Sequence, residues 1–367
     1  MKPSLVEQAT NFKAVLDAAR KRVAPVNFEW YRYDSLSNVP HLEALLGASH
    51  QYVLETARNE GILDVGCGDG DLSFFFESLG YKVTSVDHSP SNENNLQGQK
   101  TLQRELRSTV AIQEIDLDNG QPPEGRYGLT LCLGLLYHLK NPFFVLDRIA
   151  RISQYCVLST RIARRLPGGV PFPKDQALAY LLREDELNLD DTNFWIFSEP
   201  ALRRILDRTR WEILEFFTTG DKAASDPVSL DHDERAFCLL RSHYGHQHLE
   251  LLEGWHNVED SGWRWTEKQF AVRATSHSGV KHSQIEMRLF ASPLSIEKFG
   301  SITLSARIDG IDVQPLVMHK SGIHVFTRKI PSPSASTSAV FLLDKVLGAT
   351  EGYSRELGII VASLEFC

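Results

Sequence analysis

Three glycines at alternate positions, Gly66, Gly68 and Gly70, follow Asp64 in the run Gly61-Ile-Leu-Asp-Val-Gly-Cys-Gly-Asp-Gly-Asp71. Glycines spaced in this way let the backbone turn sharply and leave no Cβ atom in the path of a ligand lying across Cys67 and Asp69. The spacing is not that of a dinucleotide fingerprint, because Asp71 stands where the third glycine of that pattern belongs. Asp64 supplies an acceptor suited to a cationic amino-acid ligand, the opposite of what a pyrophosphate needs. Asp87 closes a second apolar run 21 positions after Gly66, where an acid accepts ribose hydroxyls in an open α/β sheet. Asp116 and Leu117 follow a third run and suit hydrogen bonding to an adenine and covering of its face. A tight strand-to-helix turn alone explains the glycines, but not these two later acids.

Such residues need a sheet to hold them. Short apolar runs at 62–65, 83–86, 110–115, 129–133, 155–158, 213–217 and 236–240 read as strands, with helical patterns at 72–79, 94–106, 142–151 and 200–209 between them. The alternation predicts an α/β fold: a seven-stranded, doubly wound, Rossmann-like sheet, largely parallel, spanning residues 60–245. Ser198 before Pro200 is a helix N-cap. Residues 1–59 read as a helical and aromatic cap, and 166–193, opened by prolines and glycines and rich in acids, as an insertion of the kind that forms a lid or substrate loop. From 254 to 367 alternating strand patterns recur without helices, which predicts a small β-sandwich.

No apolar run reaches the ~20 residues that span a bilayer, and the start has no signal-peptide core, so the chain is expected to be cytoplasmic. Five dispersed cysteines make neither a disulfide framework nor a zinc pattern. His243, His246 and His248 invite a metal reading, but the segment has linker character and no metal is expected. The net charge of −8 falls on the first 250 residues, since 12 basic and 12 acidic residues balance from Leu251 onward. That balance weakens the case for nonspecific nucleic-acid binding.

The ordered set of glycine loop and two acids resembles the class I S-adenosylmethionine-dependent methyltransferases. The segment Leu131-Cys-Leu133-Gly134-Leu-Leu-Tyr137-His138-Leu-Lys-Asn-Pro142 is similar to the fourth-strand motif of the family that contains the bacterial tRNA wobble-uridine carboxymethyltransferases. Segments around Trp30 and Trp195 share that likeness, which runs from about Phe28 to Leu240. It implies S-adenosylmethionine as cofactor, Leu133 and Gly134 beside it, and Tyr137 against cofactor or acceptor. The tRNA enzymes hold a carboxylated cofactor partly with basic residues in the aromatic segment. Here the approximate counterpart is Asp34, which predicts the ordinary cofactor instead.

Methyl transfer from a sulfonium demands alignment more than acid or base. Should the acceptor be a hydroxyl, His138 is the candidate base; the competing reading is that it caps or packs the next helix. Trp30, Tyr31 and Tyr33 are candidates to roof an acceptor pocket or to anchor the first helix. Arg161 follows the fifth strand, where it would grip an acceptor phosphate or carboxylate, and Trp195 ends the insertion near the same edge. Cys67 reads as packing or as part of the cofactor loop rather than a nucleophile. The expected partner is a small-molecule, lipid or glycan acceptor. A tRNA acceptor and a binding role for the sandwich, with a regulatory methyltransferase, are the alternatives, and oligomeric state stays open.

Overall fold

The computed structural model describes residues 3–120, 123–244, 247–259, 263–276, 281–348 and 355–366. Contacts divide the chain into two units, Met1–His243 and Tyr244–Cys367, so the expected cap at 1–59 belongs to the same unit as the sheet.

The first unit opens with α1 (Leu5–Val23), α2 (Val39–Leu45) and α3 (Gln51–Glu60). It continues as β1 (Ile62–Val65), α4 (Asp71–Ser78), β2 (Val83–Asp87), α5 (Gln97–Leu106), β3 (Ala111–Glu114), β4 (Tyr127–Leu133), α6 (Pro142–Ile152) and β5 (Ser153–Ile162). Then come β6 (Ala179–Leu181), β7 (Trp195–Phe197), α7 (Glu199–Arg208), β8 (Trp211–Gly220) and β9 (Glu234–Ser242). Strands β3, β2, β1, β4 and β5 lie side by side in parallel, and β9 runs antiparallel between β5 and β8.

The sheet has nine strands, not the expected seven. β5 is longer than β4, whose pairing stops at Leu133 opposite Ser159, so the end of β5 carries unpaired backbone groups. The insertion covers them: β7 pairs with β5 at Ile162 opposite Phe197, Ala163 N–H donates to the Phe197 carbonyl at 3.0 Å, and β6 pairs with β7. Three-residue strands are too short to show an alternation, which is why the sequence pattern hides them.

Burial explains the sheet's composition. β1 is buried along its whole length, and Phe74, Phe75 and Phe76 of α4 enter a core shared with α1, α2 and β4. Gly128 in β4 lets α3 approach, because a Cβ there would lie 2.6 Å from the Thr56 carbonyl. Ser198 caps α7 as expected, its hydroxyl accepting from Ala201 N–H. Helix α5 starts three residues later than the expected Asn94. Asn95 and Leu96 have left-handed φ of 55° and 62°, and the Asn94 side chain turns back to accept from Gly98 N–H.

The second unit contains β10 (Gln247–Leu251), β11 (Trp255–Val258), β12 (Arg264–Thr266), β13 (Gln269–Ser276), β14 (His282–Ala291), α8 (Pro293–Phe299), β15 (Ile302–Ile308), β16 (Ile311–Met318), β17 (Gly322–Ser334), β18 (Ser336–Leu343) and β19 (Ile360–Phe366). They form two five-stranded antiparallel sheets, ordered β10-β13-β18-β15-β16 and β11-β12-β19-β14-β17. One core joins Phe270, Phe341 and Ile308 of the first sheet to Met287, Phe326 and Phe366 of the second, the packing of a sandwich. In β15 and β18 inward and outward residues alternate. The expectation of no helix fails at α8, which Ser292 and Pro293 start in the usual way.

Candidate functional site

The glycine loop turns from β1 into α4. Gly66, Gly68 and Gly70 have φ of 70°, 57° and 81°, all left-handed, so each position needs glycine for conformation as well as space. A Cβ on Gly68 would lie 3.0 Å from the Tyr31 ring. Tyr31 therefore covers the loop from the aromatic segment before α2.

Four carboxylates surround this turn. Asp64 is buried and accepts from Ser73 Oγ at 2.6 Å; burial raises its pKa to about 6. Asp87 accepts from Gly68 N–H at 2.9 Å and His88 N–H at 2.8 Å, and from Asn92 Nδ2 at 3.2 Å; burial still holds its pKa above the ordinary range. Asp69 accepts from Tyr31 N–H and Asn94 Nδ2, both at 2.8 Å, and Asp71 accepts from Arg20 Nη2 at 2.6 Å. Burial raises both, with Arg20 opposing the shift in each case. Asp69 thus ties the aromatic segment to the loop, although its place in the motif suggested a cofactor contact. Cys67 is buried, its thiol pushed well above the usual value by burial, and Gln99 Nε2 lies 3.2 Å from its sulfur. It packs the loop.

Asp116 lies just beyond β3. Its oxygens accept from Asp118 N–H at 3.0 Å and Asn119 Nδ2 at 2.9 Å, and the Asn119 bond chiefly holds its pKa below the ordinary value. An adenine amine would have to share these oxygens with the turn. Leu117 beside it is half-buried. Asp118 then fastens the turn to the segment after β4, accepting from Lys140 N–H at 2.9 Å and Asn141 N–H at 2.7 Å.

Leu133 packs on the core at the end of β4, and Gly134 follows with φ of 72°. A Cβ on Gly134 would stand 3.4 Å from the Tyr137 hydroxyl and 3.7 Å from Arg235 Nη1. The Tyr137 and His138 rings are 4.4 Å apart, and Arg235 Cζ lies 5.9 Å from the Tyr137 ring. Burial is the main cause of a raised Tyr31 pKa, with Tyr137, Glu93 and Asp87 adding to it. The Tyr31 ring and the Asp87 carboxylate thus both meet the loop at Gly68. Burial lowers the His138 pKa and favours the neutral imidazole.

Three expected acceptor contacts are placed elsewhere. Trp30 packs against the main core with Arg20 Cζ of α1 5.2 Å from its ring, the contacts of an anchor for that helix. Tyr33 is 54% exposed and meets Tyr31 edge-on at 5.4 Å. Arg161 is 4% exposed: its guanidinium donates to the Asp226 and Ser229 carbonyls and lies 3.1 Å from Asp233, so it clamps the connection between β8 and β9. Trp195 donates from Nε1 to the Lys140 carbonyl at 3.2 Å, joining the insertion to the segment after His138. Asp34 pairs with Lys13 at the surface, and its charge helps to raise the pKa of Asp71 beside the loop. The residue missed is Arg235; Tyr31 is one of the three aromatic candidates, and the fold sets its ring over Gly68. Tyr31 lies in an aromatic run with no periodicity to phase it, and Arg235 sits one position ahead of the apolar run read as the last strand.

A family model described as a methyltransferase domain matches residues 38–215, within this unit. The first unit carries a methyltransferase domain, and the protein is an S-adenosylmethionine-dependent methyltransferase. The ubiquinone biosynthesis O-methyltransferase of Xanthomonas oryzae pv. oryzae (strain PXO99A) is 29% identical over 177 residues, covering 41% of this chain and 72% of that protein. Its counterpart in Xanthomonas campestris pv. campestris (strain B100) is 29% identical over 176 residues, with the same coverage. Among solved structures, the magnesium protoporphyrin IX methyltransferase from Synechocystis PCC 6803 with bound cofactor is 16% identical with a TM-score of 0.36, covering 64% of this chain and 97% of that one. The likeness to the tRNA enzymes is not among these findings. Among the described residues no helix is long and apolar enough to cross a membrane, and no group of three or more His, Cys, Asp or Glu side chains is arranged to hold a metal ion. His246 lies outside the described residues.

The methyltransferase loop fits its cofactor on its own terms. It gathers four carboxylates that burial pushes toward neutrality, so a cationic ligand relieves what the free protein leaves strained. Cofactor binding is therefore expected to depend on pH. Asp64 holds a proton up to about pH 6 in the free fold, so its contribution to stability is greatest below the ordinary carboxylate range and is lost as pH rises through about 6. An ammonium ligand favours the ionised form, so binding releases that proton, and affinity falls as pH drops below about 6, roughly tenfold between pH 7 and 5. Calorimetric titration with S-adenosylhomocysteine at the two pH values checks this. Asp64→Asn is expected to flatten the dependence, and a wild-type affinity equal at both would remove Asp64 from the amine site.

Proposed function

We propose that the enzyme methylates an oxygen of a small-molecule acceptor, with Tyr137 and His138 at the acceptor. The carrying observation is that these rings sit together just past Gly134, at the carboxyl edge of the sheet. The named activity of the Xanthomonas relatives, an O-methyl transfer in ubiquinone biosynthesis, supports a phenolic or lipid-linked acceptor over a glycan.

In this reading Asp87 receives the ribose hydroxyls, Asp64 faces the amino-acid end, and Asp116 with Leu117 borders the base. The bound cofactor supplies an electrophilic methyl on a sulfonium. With the methyl passing to the acceptor oxygen and the cofactor leaving as its neutral thioether, the chain's own task would be to align the acceptor and to receive on His138 the proton that the oxygen gives up. Burial keeps His138 neutral, as a base must be. The second unit is assigned to acceptor choice or location.

Incubating the intact protein and residues 1–243 with methyl-labelled cofactor against catechols, quinol-lipid extract, glycans and tRNA tests the assignment. Label is expected in the catechol or lipid fraction. Label in tRNA would restore the wobble-uridine reading. Label in glycan only with the second unit present would make that unit the acceptor-binding part.

A further inference from the structure

The insertion meets the methyltransferase site at His138. His138 Nδ1 lies 3.1 Å from the Thr192 carbonyl and 3.0 Å from Thr192 Oγ1, from a residue 54 positions away. A carbonyl only accepts, so the proton on this ring belongs on Nδ1. Thr192 Oγ1 in turn donates to Asp190 Oδ1 at 2.6 Å, and Thr192 N–H donates to the same oxygen at 2.9 Å. The hydroxyl has therefore spent its proton on the carboxylate and offers His138 a lone pair. Nε2 has no hydrogen-bond partner among the described residues.

The insertion is held firmly enough to serve as a frame. Phe194 N–H donates to the Tyr137 carbonyl at 2.7 Å. Asn193 Nδ2 donates to the Leu187 carbonyl at 3.0 Å, and Leu182, Leu187 and Ile196 form a small core with Ala163 against which Tyr137 packs.

We propose that Asp190 and Thr192 are positioning residues that hold His138 as its Nδ1-protonated tautomer, leaving the Nε2 lone pair to take the acceptor's proton. This rests on His138 being the base. When Nε2 takes that proton, the Nδ1–H remains on Thr192 and the new positive charge faces Asp190. The other charged group acting on the ring is Arg235, from β9, which opposes the cation; Asp190 favours it. The insertion is then part of the proton-accepting machinery and more than a cover.

The test uses the intact protein with 15N-labelled histidine. Two-bond proton–nitrogen spectra report the tautomer without any acceptor, with His138 assigned by its absence in His138→Gln. The expected result is Nδ1–H in the wild type at neutral pH, and a lower ring pKa in Asp190→Asn. A wild-type ring protonated on Nε2 overturns the proposal and leaves the methyl-transfer reading standing. With an acceptor in hand, Thr192→Val and Asp190→Asn are expected to lower kcat about tenfold to a hundredfold, less than the roughly 10²–10⁴ lost on removing His138 itself. The acid limb of the rate profile moves to lower pH in Asp190→Asn, KM for the cofactor is unchanged, and Thr192→Ser restores the rate. Variants with wild-type kcat and an unmoved limb overturn the positioning role. Normal turnover in His138→Gln overturns the base reading along with it.

Discussion

Asp87→Ala is expected to weaken binding of S-adenosylmethionine and S-adenosylhomocysteine by roughly 10² to 10⁴, because two hydrogen bonds to a charged acceptor are lost at about 1.5–3 kcal/mol each. The side chain stands at the end of β2, where such an acid meets the ribose, and its oxygens are already held by Gly68 N–H, His88 N–H and Asn92. Those bonds orient the carboxylate before a ligand arrives, so little ordering is left to oppose binding. They also mean that alanine strips an acceptor from the glycine loop, and part of the loss will come from the loop itself. Asp87→Asn separates the two: it keeps an oxygen for Gly68 N–H and removes the charge, so an intermediate loss is expected. Calorimetric titration of the three proteins, with unfolding followed alongside, measures both parts. Unchanged affinity in Asp87→Ala would take this residue out of the cofactor site.

What could be read from the sequence follows the range over which each signal acts. The glycine loop is a local conformational demand, with three left-handed residues in five positions, and glycine is the residue that meets such a demand at least cost. Strands β1, β2, β4 and β5 are buried runs whose composition states their burial directly, whereas β3 at the sheet edge is only half-buried. By contrast, the contacts that decide the roles of single side chains cross long stretches of chain. Arg161 clamps a connection 65 to 72 residues away, and nothing near it in sequence distinguishes a clamp from an acceptor ligand. His138 meets Thr192 through a loop whose local pattern says only that it is a loop. In the aromatic segment Trp30, Tyr31 and Tyr33 are alike in kind and lack a helical or strand period, so only the fold separates the anchor, the cover and the exposed ring.

Asp69 is where motif and geometry disagree most, and that disagreement leads to the second large effect. Its place among the glycines suggests a cofactor ligand, yet one oxygen accepts from Tyr31 N–H and the other from Asn94 Nδ2, and Asn94 also donates to the Glu29 carbonyl at 3.1 Å. Asp69 therefore fastens residues 29–31, with the Tyr31 ring, over Gly68. Asp69→Ala removes two charge-assisted bonds worth about 1.5–3 kcal/mol each. It leaves Asn94 and the Tyr31 N–H without their shared acceptor. The expected result is a loss of roughly 10² or more in cofactor affinity, accompanied by faster amide exchange confined to the segment before α2, because the cover detaches while the sheet stays folded. Tyr31→Ala keeps the Asp69 bonds and removes only the ring. It should reproduce part of the affinity loss without the exchange, and Asp69→Asn, which still accepts from Tyr31 N–H, should fall between. If Asp69→Ala loses affinity while exchange before α2 is unchanged, Asp69 acts on the cofactor directly and the motif reading is the right one.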